Sequence, residues 1–191
     1  GAGDDSVTIT NGWGDEYLVD YLDGGEGTDT LHTADWFGST SYGSTAWGLK
    51  IVNFENINFS GSYNITLGSQ AGSQGDSITV NASSSYSGTF TSLSDANITF
   101  TGSGGEWVSG QDTVILGGGN DTISLGLGDD TITAGAGNDT IDGGQGTDIA
   151  IFSGNQADYS ITELSYDRYQ VVHDNGTDGT DTVTGIETLQ F

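Results

Sequence analysis

Short alternations of apolar and polar residues recur along the chain and predict β-strands with one buried face. They are NITLG (64–68), SITVN (77–81), GTFTSL (88–93), NITFTG (97–102), YSITEL (159–164), YQVVHD (169–174) and TVTGIETLQF (182–191). The turn around Asn175-Gly176 and Asp178-Gly179 suits a hairpin. No stretch keeps a helical period, so the chain is predicted to be all-β.

A pattern with a period of nine fills residues 107–151. Five consecutive units follow the template x-G-x-G-x-D-x-U-x, where U is apolar: WVSGQDTVI, LGGGNDTIS, LGLGDDTIT, AGAGNDTID and GGQGTDIAI. Position six is always aspartate: Asp112, Asp121, Asp130, Asp139 and Asp148. Position eight is always apolar: Val114, Ile123, Ile132, Ile141 and Ala150. Five matches in one register indicate a repeat architecture.

Each unit predicts a short strand followed by a glycine turn, because Thr-Ile pairs favour strands and glycine permits positive φ. Two units make one coil of a solenoid, so turns on one edge lie two repeats apart. Asp112, Asp130 and Asp148 should therefore line one edge, and Asp121 and Asp139 the other. A cation between stacked turns would bind these carboxylates and carbonyls near positions two and four. The glycines concerned are Gly110, Gly117, Gly119, Gly126, Gly128, Gly135, Gly137, Gly144 and Gly146.

Less regular copies of the template occur earlier, at 1–8, 11–19 and 24–32. Their position-six residues, Asp5, Glu16 and Asp29, are further candidate metal ligands. The spacing between these copies is irregular, so they are not expected to stack as simply as the later array.

A longer repeat is also present. GGEGTD (24–29) precedes IVNFENINF (51–59), and GGQGTD (143–148) precedes VTGIETLQF (183–191). The two nonamers share an aliphatic start, Glu at the fifth place and a final Phe, which suggests two related units that each end in a capping strand. We expect one module composed of irregular repeats and a hairpin segment (1–59), a strand-rich insert (60–106), a β-roll (107–152) and a C-terminal hairpin and cap (153–191).

The charge restricts the partners. The chain has 27 Asp or Glu but only 2 Lys or Arg, for a formal net charge of −25. Self-repulsion on this scale opposes a compact state, and regularly spaced carboxylates with glycine carbonyls suit calcium. Lys50 and Arg168 cannot replace the counterions of a nucleic acid, and an acidic membrane would repel the chain.

Cysteine is absent, so metal ions would have to replace disulfides as staples. No apolar run approaches the ~20 residues of a membrane span.

The nonapeptides resemble the hemolysin-type calcium-binding repeats of RTX proteins. The segment from GGQGTDIAIFSGNQADYSI to GTDTVTGIETLQF is similar to the one that often follows such repeats in large RTX adhesins and secreted enzymes. The resemblance covers residues 107–191 well, the early repeats loosely and residues 60–106 not at all. It implies a parallel β-roll with several calcium ions in its turns, flanked by antiparallel hairpins, in a protein that is secreted or on the bacterial surface. It also implies folding triggered by extracellular calcium, for which affinities of ~10⁻⁴–10⁻³ M are suitable.

The resemblance leaves two functions open. One is a calcium-dependent ligand-binding module of an RTX adhesin, in which an open calcium site would take a host peptide or glycan. Its candidate binding residues are Trp36, Tyr42 and Trp47, from a polar, glycine-rich stretch. The other is a structural or export-assisting calcium-binding domain. In either case we expect a monomeric module of a longer chain. Ice binding is not favoured, because position three carries no row of threonines.

The sequence does not favour an enzyme. It lacks a G-x-S-x-G elbow and an H-E-x-x-H motif, and its two histidines are His32 and His173. Most carboxylates are explained as metal ligands or solvated turn residues.

Overall fold

The structure is a computed structural model that describes residues 2–10, 21–34, 50–52, 54–60, 63–67, 77–84, 88–92, 95–102 and 110–191. In chain order the strands are β1 Ser6–Thr10, β2 Tyr21–Asp23, β3 Thr30–Ala34, β4 Lys50–Val52, β5 Asn56–Ser60, β6 Tyr63–Leu67, β7 Ser77–Ser84, β8 Gly88–Ser92, β9 Asn97–Thr101, β10 Asp112–Ile115, β11 Thr122–Ser124, β12 Thr131–Thr133, β13 Thr140–Asp142, β14 Ile149–Ile151, β15 Tyr159–Ser165, β16 Arg168–His173, β17 Thr180–Thr184 and β18 Thr188–Gln190. One 3₁₀ turn, Gln156–Asp158, precedes β15. Within the described ranges, no helix is long and apolar enough to cross a membrane.

The strands form a large and a small sheet. The large sheet has ten strands in the order β1-β3-β5-β7-β9-β11-β13-β17-β16-β15, and the small sheet has six in the order β18-β14-β12-β10-β8-β6. Strands β2 and β4 form a separate parallel pair. From β5 to β14 successive strands alternate between the two sheets, and strands two apart in the chain pair in parallel. The predicted parallel β-roll, with two strands to a coil, is confirmed.

Antiparallel pairing is confined, among the described strands, to the hairpin β15–β16 and its contact with β17. The residues between β16 and β17 include the Asn175-Gly176 and Asp178-Gly179 pairs, so the predicted hairpin turn is confirmed. Strand β17 then returns to the roll, where it pairs in parallel with β13, and β18 pairs in parallel with β14.

The strands of residues 60–106 continue the same two sheets. In the large sheet β7 and β9 lie between β5 and β11, and in the small sheet β6 and β8 precede β10. Thr99 pairs with Thr122 and Phe100 with Ile123, so these strands keep the register of the nonapeptides although they lack their sequence. The sequence predicted these strands but set the segment apart as an insert, because nothing in its alternation indicates parallel stacking on the repeats.

The core lies between the two sheets. It is formed by position eight of each nonapeptide and by the residues that occupy the same register elsewhere. The buried members are Leu31, Ile57, Val80, Phe90, Phe100, Val114, Ile123, Ile132, Ile141, Ala150 and Val183. The predicted inward stacking of position eight is therefore confirmed. Burial of each large aliphatic or aromatic side chain stabilises the fold by ~1.5–3 kcal/mol.

Close stacking of the turns requires glycine at position four. Gly137 has φ +138°, and a Cβ at this residue would overlap the carbonyl oxygen of Gly119 on the neighbouring coil. Gly154 also has a positive φ, +85°, but a Cβ there would meet nothing closer than the Asp158 Oδ2 atom at 3.9 Å. The two positions therefore separate backbone strain from steric overlap.

We expect Gly137→Ala to destabilise the roll much more than Gly154→Ala. Both substitutions place alanine at positive φ, which strains the backbone, but only the first also forces neighbouring coils apart. Urea unfolding of both variants with calcium present, followed by far-UV circular dichroism, measures the difference. Equal losses of unfolding free energy would contradict close turn stacking.

Candidate metal site

The position-six aspartates form two rows of hydrogen-bonded residues along the edges of the roll. In the first Asp row, Asp112 N donates to Asp130 Oδ1 at 2.7 Å, and Asp130 N donates to Asp148 Oδ1 at 2.8 Å. In the second Asp row, Asp121 N donates to Asp139 Oδ1 at 2.8 Å. Each bond joins residues 18 apart in sequence, which is one coil. The two predicted rows are confirmed.

Both rows extend one coil beyond the nonapeptides. Asp139 N donates to Asp181 Oδ1 at 2.8 Å, and Asp148 N donates to Glu187 Oε2 at 2.7 Å. The period of nine does not identify Asp181 and Glu187 as row members, because residues 152–175 interrupt it. A signal was present in GTDGTD (176–181), which places Gly179 and Asp181 at positions four and six of the template.

A third group of these bonds lies near the N-terminus. Asp5 N donates to Asp29 Oδ1 at 2.7 Å, and Asp29 N donates to Glu55 Oε2 at 2.7 Å. Asp29 is buried and Asp5 is exposed. The structure thus brings together two of the three early candidates and adds Glu55. Glu16 lies outside the described residues, as do Trp36, Tyr42 and Trp47.

The second carboxylate oxygen is the notable feature of both rows and of the N-terminal group. While Oδ1 accepts a backbone N–H, Oδ2 is buried without a hydrogen-bond partner. This holds for Asp29, Asp121, Asp130, Asp139 and Asp148, each at most 2% exposed. A buried carboxylate oxygen without a partner is costly, so each of these atoms needs a proton or a cation.

The pKa values agree with that requirement. Burial raises the pKa of Asp121 and of Asp130 to about 7, although the backbone hydrogen bonds to their Oδ1 atoms act in the opposite direction. Burial likewise raises the pKa of Asp139 to about 6 and of Asp181 to about 8. Neighbouring carboxylates add to these shifts, because charges of the same sign disfavour ionisation.

Backbone carbonyls complete the oxygen-rich environment. Each position-four carbonyl oxygen lies very close to the position-four glycine of the next coil, so that a Cβ on that glycine would overlap it. This holds for the carbonyls of Gly110, Gly119, Gly128 and Gly137. At position two, the carbonyls of Gly117 and Gly126 accept N–H groups from Ala136 and Gln145 at 2.8 and 2.7 Å. Position two of the following units, Gly135 and Gly144, has φ +95° and +97°.

These oxygens fit calcium, which takes six to eight oxygen ligands from carboxylates and carbonyls. Within the described part of the chain, no three His, Cys, Asp or Glu side chains are grouped so that they could hold a metal ion. An ion in the rows therefore needs backbone carbonyls beside the carboxylates. Asp112, Asp121, Asp130, Asp139 and Asp148, with the carbonyls near positions two and four, remain the predicted ligands.

The middle coils have no carboxylate at position six. Ile78 and Ile98 occupy it on the large sheet, and Gly88 on the small sheet. Gly88 N donates to Asp112 Oδ1 at 3.0 Å and Ile98 N to Asp121 Oδ1 at 2.7 Å, so the rows begin at these neutral residues. Apolar packing holds this region, including the ring pair Phe90–Phe100 with centroids 5.2 Å apart.

A separate polar cluster fixes the hairpin to the roll. The Tyr159 hydroxyl donates to Asp178 Oδ2 at 2.5 Å, and the Ser153 hydroxyl donates to the same carboxylate at 2.9 Å. His173 Nδ1 lies 3.6 Å from Asp178 Oδ1, and its ring stacks on Tyr159. Burial acts to raise the pKa of Asp178, but the hydrogen bonds from Tyr159 and Ser153 outweigh it and lower that pKa.

This cluster does not have the arrangement of a catalytic triad. In a triad the serine hydroxyl bonds to the histidine and the aspartate holds the far side of the ring. Here the Ser153 hydroxyl and the His173 ring both face Asp178. Burial, followed by the bond to Asp178, raises the pKa of Tyr159 to about 12, which keeps the hydroxyl protonated as a donor. We interpret the cluster as a structural clamp.

The raised pKa values predict how metal-free protein responds to pH. Carboxyls of the unfolded chain have pKa values near ~4, whereas the buried carboxyls of the folded rows have pKa values of about 6 to 8. Between these pH values the folded state therefore binds more protons than the unfolded state. Stability without metal is therefore present at low pH and lost as pH rises through that window. Far-UV circular dichroism of metal-free protein should therefore show more β-structure at pH 5 than at pH 8.

The matched variants for this measurement are Asp121→Asn and Asp129→Asn. The first should reduce the difference between the two signals, because it removes a buried titrating group. The second should reduce it less, because Asp129 is exposed and acts on Asp130 and Asp148 only as a neighbouring charge. Equal β-structure at pH 5 and pH 8 in the metal-free wild-type chain would show that the rows do not hold protons.

Comparison with known families supports the calcium assignment. Residues 19–35, 100–131 and 115–150 match the family model described as the RTX calcium-binding nonapeptide repeat (4 copies). The matched segments include Asp29 and all five position-six aspartates from Asp112 to Asp148. No curated protein and no solved structure gives a significant match to the chain. The described chain is thus all-β, and these parts of it are similar to RTX calcium-binding nonapeptide repeats.

Proposed function

We propose that the chain is a calcium-dependent folding module of a secreted bacterial protein, in which ions along the Asp rows hold the coils of the roll together. The observation that carries this proposal is the set of buried Oδ2 atoms without a hydrogen-bond partner. RTX repeats are typical of secreted bacterial proteins and bind calcium outside the cell, which agrees with this role.

Electrostatics explain why the ion would control folding. With 27 acidic and 2 basic residues, the metal-free chain repels itself when it becomes compact. Ions that bind only the folded rows add their binding free energy to the stability of the fold. Extracellular modules bind calcium at ~10⁻⁴–10⁻³ M, so such a chain would fold after export.

Calcium titration of paired variants tests this role. We expect a large gain of β-structure by far-UV circular dichroism when calcium is added to metal-free protein. Asp130→Asn should raise the calcium concentration at the midpoint about tenfold or more, since removing a hard carboxylate ligand weakens the site. Asp129→Asn removes the same charge from an exposed residue that bonds Thr147 N at 2.9 Å, and should shift the midpoint little.

Two outcomes would contradict the proposal. A chain that is fully folded in excess chelator at neutral pH would show that the rows need no ion. Equal midpoints for the two variants would show that net charge, and not the position-six carboxylate, sets the calcium requirement.

We propose ligand binding, as in an RTX adhesin module, as a second candidate function. Its support is the concentration of aromatic residues outside the nonapeptides. Trp36, Tyr42 and Trp47 all fall in residues 35–49, which connect β3 to β4. Long connections on a rigid solenoid are where binding residues commonly lie. An ion with an open coordination position would allow so acidic a protein to hold a carboxylate or a sugar hydroxyl.

A binding screen tests the second candidate. Arrays of peptides with free C-termini and of glycans would be probed with the module in calcium and in chelator. We expect a ligand that binds only in calcium and whose affinity falls about tenfold or more in Trp36→Ala or Trp47→Ala. The control is Tyr166→Ala, which changes an exposed aromatic residue between β15 and β16. If no array member binds in calcium, the structural role alone remains.

A further inference from the structure

We infer that the roll binds two calcium ions beyond those of the nonapeptide pairs: one between Asp148 and Glu187, the other between Asp29 and Glu55. This inference rests on the proposed calcium-dependent function. It concerns two short turns that do not fit the nonapeptide template, which we call the Glu turns, residues 185–187 and 54–55.

The two Glu turns make the same contacts. Asp148 N donates to Glu187 Oε2 and Asp29 N to Glu55 Oε2, both at 2.7 Å. In return, each glutamate N–H donates to the carbonyl of the paired aspartate at 3.2 Å, and the residue after each glutamate donates to that carbonyl at 3.1 Å. The glutamates shared by the two nonamers thus occupy one structural role at two places in the roll.

The Glu turns are shorter than the nonapeptide turns. Residues 185–187 alone separate β17 from β18, whereas residues 125–130 separate β11 from β12. Residues 54–55 directly precede β5. The residues before the glutamates, Ile186 and Phe54, are buried in the core. A shorter turn offers fewer carbonyls to an ion, and the longer glutamate side chain spans the remaining gap to the aspartate.

The aspartate paired with each Glu turn has a buried oxygen without a hydrogen-bond partner. Asp148 is fully buried, and its Oδ2 atom has no hydrogen-bond partner. A Cβ on Gly143 would lie 2.8 Å from this atom and would overlap the carbonyl oxygen of Gly185. Carboxylate and carbonyl therefore converge on one space, which stays open because residue 143 has no side chain. Asp29 is also fully buried with an Oδ2 atom lacking a partner.

The charges around Asp148 favour a cation at this place. Burial raises the pKa of Asp148, and the charges of Glu187, Asp129 and Asp142 raise it further. Gly185 brings Asp142 close, since a Cβ on Gly185 would lie 3.4 Å from Asp142 Oδ1. Two carboxylates and a carbonyl, with further negative charge nearby, are ligands of the kind calcium prefers.

A hydrogen-bonding cap is the alternative role for these glutamates, and the amide variant separates the two. A glutamine at residue 187 would still accept the Asp148 N–H through its side-chain oxygen, but it would lack the negative charge. A cap would therefore tolerate Glu187→Gln and Glu55→Gln, whereas an ion ligand would not.

The test counts bound calcium in the whole chain. Wild type, Glu187→Gln, Glu55→Gln and the double variant would be dialysed against the same saturating calcium concentration, and bound calcium would be measured by atomic absorption. We expect one ion fewer in each single variant and two fewer in the double variant. Glu163→Gln, on the exposed face of β15, is the matched control and should bind as many ions as wild type.

The outcomes separate this inference from the proposed function. If wild type binds no calcium, the proposed function fails and the inference with it. If wild type binds calcium and all variants bind the same number, the function stands and the glutamates are caps. Should a variant not fold, diffraction from wild-type crystals grown in calcium decides the question. An anomalous peak between Asp148 and Glu187 is expected, and its absence would overturn the inference.

Discussion

The roll depends on aspartates that use one carboxylate oxygen for protein structure and leave the other without a partner. In Asp130, Oδ1 accepts the N–H of Asp112 on the neighbouring coil, while Oδ2 is buried with no hydrogen bond. The first interaction fixes the register of the coils. The second leaves a carboxylate oxygen that water cannot solvate, because the residue is only 1% exposed. Fold and cation requirement therefore arise from the same side chain.

This dependence is not uniform along the molecule. The nonapeptide coils and the N-terminal coils carry carboxylates at position six, but the coils between them carry Ile78, Gly88 and Ile98. At the ends, neighbouring turns are joined through charged groups that repel one another without a cation. In the middle these positions are neutral, and the core beside them includes the ring pair Phe90–Phe100. An apolar coil needs no ion, so the middle segment can serve as a fixed base against which the charged coils order.

The sequence predicts the rows but not their full length. A fixed period of nine places Asp112, Asp130 and Asp148 on one edge without reference to any contact. The period does not predict the position of Asp181 in the row. A hairpin lies between it and Asp139, and the resulting separation of 42 residues no longer indicates how many coils lie between them. For β7 and β9, alternation shows that strands exist and which side is buried. It carries no information on parallel register, which the stacked turns determine.

Coil register, and not chain distance, is therefore what defines a row. Asp139 N finds Asp181 across a 42-residue gap with the same geometry that joins Asp121 to Asp139 across 18. The roll can consequently admit a long segment between two coils without breaking the row, provided that the chain re-enters with a carboxylate at position six. The hairpin β15–β16 is one such segment, clamped by Asp178. New binding functions can accumulate in these segments because the rows that hold the fold do not pass through them.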